Sequence, residues 1–418
     1  MNLAVISVSA LALAVIVSCV SRLNVGVLSL ALAWIVGVYV GGIPVNTVMG
    51  GFPGPLFLTL TGVTLLFALA DTNGTLERIA HHAVRICRGN SGAIPVMFFV
   101  LGAALASMGP GNIATAALLA PLAMATAVKK GIPLFLMAIM VGNGANSGAL
   151  SPFAPTGIIV NGIMARNGMP GYELPTYFYN LLAHAFVAFA GYALFGGLKL
   201  FREGSTPPAS AAATAVLPDG HSDRFHRRHW ITVGVIAALI LSVIVLNANV
   251  GMAAFAGAVI LVLTGSADDV EAVKKMPWRV IVMVCGVTVL ISLVERAQGI
   301  DLLVSLVARI ATANTVTAVV ALLTGVVSVY SSTSGVVLPA FLPMVPGLAS
   351  TLQGASPLAI AMSMNVGGHL VDVSPLSTIG ALCLAGATAG DSRALFNKLL
   401  AWGLSMAVVG AVLCYVVF

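Results

Sequence analysis

The chain of 418 residues is 59% hydrophobic and only 8% charged, with a mean hydropathy of +1.05. That composition excludes a soluble domain and predicts an all-α polytopic membrane protein. The net charge of +6 reports where loops face, not a nucleic-acid partner.

Apolar runs at 3–20, 25–40, 56–70, 178–200, 231–246, 252–263, 280–293 and 394–418 are near the length needed to cross a bilayer as helices. The first lacks a basic n-region and a small-residue cleavage site before Arg22, so it reads as a retained span and not a signal peptide. Cys19, Cys87, Cys285, Cys383 and Cys414 have no motif spacing and point to neither disulfides nor metal.

Short motifs recur in order at offsets of 223–225. NVG falls at 24–26 and 249–251, GVT at 62–64 and 286–288, and Arg-Ile at 85–86 and 309–310. Ser-Pro falls at 151–152 and 374–375, followed by Gly157 and Gly380. One match is noise, but an ordered series at a fixed offset marks a duplication. The expected organisation is a first repeat over 1–201, a cytoplasmic linker over 202–228 and a second repeat over 229–418. Each repeat has three apolar spans, an amphipathic helix with basic residues, a re-entrant hairpin (92–128 and 315–352), a helix broken in mid-membrane (133–165 and 356–389) and a final span. The flanks of the first hairpin, 93–106 and 113–128, read as too short to cross. The four predicted breaks are the hairpin tips, 107–115, SMGPGNIAT, and 330–335, YSSTSG, and the mid-membrane stretches 142–157, GNGANSGALSPFAPTG, and 365–380, NVGGHLVDVSPLSTIG.

If each repeat crosses five times, giving about ten transmembrane helices, 16 of the 19 Lys and Arg collect on one side. Arg166, Arg296 and Arg309 are left opposite. The positive-inside rule makes the crowded side cytoplasmic and puts both termini outside the inner (plasma) membrane. An odd number of crossings inserts the halves with opposite orientation, the plan of an inverted-repeat transporter.

Backbone leaving a helix inside a bilayer survives only where it is buried in protein or lines a polar cavity. Free helix N-termini there attract anionic oxygens, and free C-terminal carbonyls attract cations. The four breaks carry hydroxyls and amides but no Arg or Lys; Asp372 is their only acid and His369 their only ionisable base. A carboxylate held without an Arg clamp needs compensating charge in low dielectric, which favours a cation-coupled site. The candidate substrate residues are Ser107, Asn112, Thr115, Thr156, Ser331, Ser332, Thr333, His369 and Thr378. The candidate Na+ ligands are Asn143, Asn146, Ser147, Ser334, Asn365 and Asp372. An intramembrane acid such as Asp372 is costly and tends to be functional. His81 and His82 read as interfacial and His184 as a packed core histidine.

The stretch RLNVGVLSLALAWIVGVYVGG, with FPGPLFLTLTGVTLLF and ADTNGTLERIA, resembles the malonate/dicarboxylate carrier family. The paired hairpins and broken helices resemble the wider ion transporter superfamily, which contains the divalent-anion/sodium symporters. The resemblance implies a homodimeric elevator, in which a scaffold domain stands still while a transport domain carries substrate across. It also implies that the hairpin tips meet substrate carboxylates and help bind Na+, as a Ser-Asn-Thr motif does in the symporters. Here the tips read Ser107, Asn112 and Thr115 around Gly-Pro-Gly, and Ser331-Ser332-Thr333.

The expected function is secondary transport of a small dicarboxylate, malonate the best single candidate, with Na+ as the coupling ion and no other cofactor. H+ coupling through Asp372 or His369, anion exchange, and cation/proton antiport stay open; antiport usually needs more than one intramembrane acid. A membrane enzyme is not expected, since the breaks hold no His/Glu or Cys/His cluster.

Overall fold

The recurring NVG motif has a structural reason. Asn24 and Asn249 are N-caps whose side-chain oxygens accept from the amides of Gly26 and Gly251, satisfying donors that a helix start leaves free. The glycine that follows lets another helix approach to backbone contact. In the computed structural model, which describes residues 2–21, 23–86, 90–204, 225–386 and 392–418, every regular element is a helix. The predicted linker therefore lies largely outside the described residues (205–224), as do Arg22, Cys87, Arg88 and residues 387–389 of the second broken helix.

The first half runs α1 (Leu3–Val20), α2 (Val25–Trp34, continued by a π-helix, Ile35–Val40), α3 (Val45–Met49), α4 (Gly54–Thr72), α5 (Thr75–Ile86), α6 (Ala93–Met108), α7 (Gly111–Lys130), α8 (Leu134–Ser147), α9 (Pro155–Arg166), α10 (Glu173–Leu194) and α11 (Gly197–Glu203). The second half runs α12 (Arg227–Leu246), α13 (Val250–Leu263), α14 (Asp269–Lys275), α15 (Trp278–Arg296), α16 (Gly299–Ala308) and α17 (Val316–Tyr330). It continues through a π-turn (Thr333–Val337) into α18 (Leu338–Phe341), a 3-10 turn (Leu342–Met344) and α19 (Val345–Thr351). It closes with α20 (Pro357–Leu370), a 3-10 turn (Val371–Val373), α21 (Thr378–Ala385) and α22 (Ser392–Val417).

Eight of the described helical segments are long and apolar enough to span a bilayer, and shorter apolar helices accompany them. The protein is thus a multi-pass membrane protein. Burial sorts the spans: 61% of the α15 window is enclosed against 22% of α12, so α15 is central and α12 peripheral, its Leu241, Ile244, Val245 and Leu246 exposed.

Two helix crossings hold the centre together. A Cβ on Gly286 would run into the Gly26 carbonyl, and one on Gly26 into the Val282 carbonyl, fixing α2 on α15. A Cβ on Gly62 would run into the Gly251 carbonyl, and one on Gly251 into the Thr59 backbone, fixing α4 on α13. Small residues at such crossings let helices gain dispersion and close dipole contact without a hydrophobic drive. The threonines of the GVT motif point inward and donate back to their own helices, Thr64 to the Leu60 carbonyl at 2.7 Å and Thr288 to the Val284 carbonyl at 2.8 Å.

Two expectations need correcting in detail. The polar stretch from Gly142 to Ser147 does not unwind; it is the last turn and a half of α8, and the break is confined to 148–154. Its Gly144 is there for packing, because a Cβ would strike the Phe99 backbone of α6, as one on Gly367 of α20 would strike Ala321 of α17. The second flank of the first hairpin is also longer than expected: α7 has 20 residues, about the length of a full span.

Because Gly62 and Gly286 face backbone and not flexible side-chain ends, Gly62→Val and Gly286→Val are each expected to cost about 1–3 kcal/mol. In detergent this should lower the thermal unfolding midpoint by several degrees. Gly234→Ala, with nothing within 4 Å of the added carbon, should leave it unchanged or slightly raised.

Candidate substrate site

The first hairpin turns at Gly109, Pro110 and Gly111. Gly109 has φ 142° and Gly111 φ 77°, values an L side chain rarely adopts. A Cβ on Gly109 would meet the Phe67 ring of α4, and one on Gly111 would meet Pro155 at 2.9 Å. The tip is thereby wedged between α4 and the start of α9. The turn starts α7 inside the protein, with Asn112 and Thr115 buried on its first turns and its leading amides without intrahelical acceptors.

Behind the tip lies a polar cluster. Asn112 Nδ2 donates to Asn146 Oδ1 at 2.9 Å. Asn180 of α10 donates to the carbonyls of Asn146 and Ser147 at 2.8 and 3.2 Å, so a side-chain amide caps the C-terminal end of α8. Asn143 Nδ2 donates to the Ile139 carbonyl, and its Oδ1 lies 2.9 Å from His184 Nδ1; an oxygen that only accepts makes that ring nitrogen the donor. Ser147 Oγ donates to the Gly144 carbonyl at 2.7 Å. Ser107 is half-buried, its hydroxyl 2.6 Å from the Ala103 carbonyl and 3.0 Å from the Tyr177 hydroxyl. Ser151 Oγ donates to the Ser107 carbonyl at 2.7 Å, tying the first break to the end of α6.

The second half builds its cluster differently. Thr333 Oγ1 is 2.7 Å from Asp372 Oδ1 and 3.3 Å from the Gly368 carbonyl. Ser377 donates to the carbonyls of Asp372 and Ser374, and Ser332 caps its turn by accepting from the Gly335 amide at 3.2 Å. His369 Nδ1 lies 2.9 Å from the Asn365 carbonyl, so it too carries its proton on Nδ1. Several buried polar atoms here have no protein partner among the described residues: both amide atoms of Asn365, His369 Nε2, His184 Nε2, Asn146 Nδ2, Asn180 Oδ1 and Thr115 Oγ1. Buried polar atoms left unmatched carry a full desolvation cost, so their concentration at the breaks marks a region shaped for something other than stability.

A cavity of about 560 Å³ opens beside the first tip, a size suited to a small molecule. It is lined by Gly109, Pro110, Gly111, Asn112 and Thr115 of the tip, by Pro155 and Thr156 at the start of α9, by Ser334 of the second half, and by α4 and the start of α15. Four candidate residues thus face one space: Asn112, Thr115, Thr156 and Ser334. Asn143, Asn146, Ser147, Asn365 and His369 are fully buried and do not line it, and neither do Thr333 and its partner Asp372, which are buried with slight exposure. Ser331 and Ser332 are half-buried and Thr378 is exposed. A second cavity, of about 370 Å³, lies between the start of α4 and the end of α15 and holds Arg166 and Glu295.

The residues missed from sequence are Asn180, as the cap on α8; His184, there read as plain packing; and Tyr177. Asn180 and His184 stand four apart in an apolar span, which places an amide and an imidazole on one helix face. An intramembrane pair of that kind was the available signal. Fitness for Na+ rests on oxygens: the Asp372 carboxylate and the Thr333 hydroxyl adjoin at 2.7 Å and are of the kind a hard cation takes. Among the described residues there is no group of three or more His, Cys, Asp or Glu suited to a transition metal.

Over residues 1–149 the chain matches the dicarboxylate carrier protein MatC N-terminus. The resemblance read from the N-terminal motifs is borne out over those residues. No curated protein matches the chain. Among solved structures it is similar to the Alcanivorax borkumensis YdaH transporter, whose crystal structure is described as revealing an unusual topology. The identity is 18%, the TM-score 0.61, and the match covers 88% of this chain and 87% of that one. At that identity the likeness is one of fold. The matched family and the solved neighbour are transporters, not enzymes.

Asn180→Leu keeps the branched outline of the side chain but removes the donor shared by two carbonyls at the end of α8. It is expected to destabilise the protein by about 1–3 kcal/mol, read as a lower unfolding midpoint in detergent. An unchanged midpoint would mean that the helix end is held by other groups.

Proposed function

We propose that this chain is a secondary active transporter that moves a small, malonate-like dicarboxylate across the cytoplasmic membrane by Na+ symport. The observation that carries this reading is the cavity at the first hairpin tip. It is walled by a helix start and by neutral donors from both halves, Asn112, Thr115, Thr156 and Ser334. Such a wall recognises carboxylate oxygens through hydrogen bonds and helix dipoles, and because Lys275 at its mouth is already paired with Asp71, the negative charge of a guest is left to be offset by a co-bound cation. The carrier family matched over the N-terminal third supports the substrate class.

The inverted repeat is supported by α4 and α15, which run antiparallel. The end of one and the start of the other line the same cavity at each pole. On this plan the polar breaks form the moving part of an elevator, with both termini outside and the protein a homodimer. Asp372, buried and bonded to Thr333, is proposed as the coupling group. It ligates Na+ through its carboxylate; the alternative, favoured by the same burial, is that it carries a proton.

The test is uptake of radiolabelled malonate into liposomes holding the purified protein, first with an inward Na+ gradient and then with a pH gradient in its place. Na+-driven uptake supports the symport reading, and uptake driven by protons alone moves the coupling to a proton on Asp372 or His369. Asp372→Asn is expected to abolish gradient-driven uptake with expression intact. Asn146→Ala is expected to raise the half-saturation concentration, since Asn112 loses its acceptor. Normal ion-dependent uptake in the Asp372 variant would overturn the assignment.

A further inference from the structure

The two cavities occupy opposite ends of the same pair of helices. The larger is lined by the C-terminal half of α4, with Thr64, Ala68 and Asp71, and by Pro277 and Val280 at the start of α15. The smaller is lined by Pro53 and Pro55 at the start of α4 and by Thr288, Ser292 and Glu295 in the last part of α15. Each helix has 19 residues, about 28 Å along its axis at 1.5 Å per residue, close to the apolar thickness of a bilayer. One cavity therefore faces each side of the membrane.

Each cavity also holds one carboxylate and one cation. Asp71 and Glu295 stand 224 residues apart in sequence, the spacing of the repeated GVT motif, so the acid sits at the same point of both halves. The cations come from unrelated elements. Lys275, the last residue of α14, pairs with Asp71 at 3.0 Å across a half-exposed mouth. Arg166, the last residue of α9, lines the smaller cavity together with Glu295. A lone carboxylate at the mouth of an anion pathway would repel the cargo. A lone cation would hold it too well, and the paired arrangement avoids both.

We propose that Lys275 and Arg166 are the anion-capture residues of two vestibules on opposite sides of the membrane. One carboxylate of an arriving small dianion displaces Asp71 from Lys275 at one mouth and binds Arg166 beside Glu295 at the other. This rests on the dicarboxylate reading for the cargo and on the cavities alone for the two-sided access. A carboxylate beside each cation keeps each mouth near neutral. It favours anions over neutral solutes of the same size, and leaves the second carboxylate of the dianion free for the donors deeper in the path.

The experiment uses Lys275→Cys and Arg166→Cys in the full chain, in right-side-out and inverted membrane vesicles. Membrane-impermeant methanethiosulfonates are applied, and labelling is read by mass spectrometry of the peptides containing residues 166 and 275. The two positions are expected to label from opposite sides, residue 275 from the cytoplasmic one. In proteoliposomes of known orientation, Lys275→Cys should raise the KM for malonate at the cytoplasmic face about three- to fivefold more than at the other, the size of a half-exposed charge contact. Arg166→Cys should do the reverse. Modification with the ethylammonium reagent should restore KM, and the ethylsulfonate reagent should not; Lys275→Arg and Arg166→Lys should resemble the parent. Labelling of both positions from one side, or equal rescue by both reagents, would overturn the proposal. If the parent protein moves no dicarboxylate, the substrate reading fails, and the sidedness of labelling still decides the vestibules.

Discussion

Ending a helix inside a low-dielectric slab leaves carbonyls and amides that water does not reach, and the rest of this structure is arranged around answering them. At the end of α8 the answer is Asn180, whose side-chain amide reaches from the next span to the carbonyls of Asn146 and Ser147. At the end of α20 the chain answers itself: a 3-10 turn follows, and the Ser377 hydroxyl folds back onto the carbonyls of Asp372 and Ser374. The start of α7 is placed by glycine conformations that only a buried reversal requires. These devices spend polar groups on holding irregular backbone in place, and they leave other polar atoms beside it unmatched. Stability alone does not select for the second outcome; an interior that receives a polar guest does.

The two halves solve the same backbone problem with different chemistry. The first half holds amides around its break, Asn143, Asn146 and Asn180. The second holds the acid Asp372, the imidazole of His369 and the hydroxyl of Thr333. Each half thus holds a buried imidazole, His184 in the first and His369 in the second, while the buried carboxylate stands in the second alone among the residues of these two clusters. The two polar clusters are therefore unlike, one built mainly of amides and the other around a carboxylate.

Much of the architecture was legible in sequence. The spans follow from apolar length, and the recurring NVG and GVT motifs are the caps and crossing points of corresponding helices. What periodicity and composition did not separate was glycine that frees a backbone from glycine that admits a neighbour. Gly109 and Gly111 do the first, and Gly144 and Gly367 do the second, which is why the polar patch of α8 reads as unwound and yet is helical to Ser147. The pairing of Asp71 with Lys275 spans 204 positions, and no local pattern announces it. Asn180 and His184 carried a readable signal, two polar side chains on one face of an apolar span, whose partners only the fold identifies.

The glycine crossings carry a mechanical consequence. Where backbone lies directly on backbone there is no side chain to change rotamer, so a pair of helices joined in that way neither slides nor rolls without losing contact over its whole length. Such joints weld α2 to α15 and α4 to α13, and separately weld α6 to α8 and α17 to α20. Near the hairpins the close approaches run through side chains instead, the Phe67 ring against Gly109 and the Met283 thioether against Gly335. Each crossing is therefore stiff in itself, while the contacts at the hairpin turns can adjust through the rotamers of Phe67 and Met283.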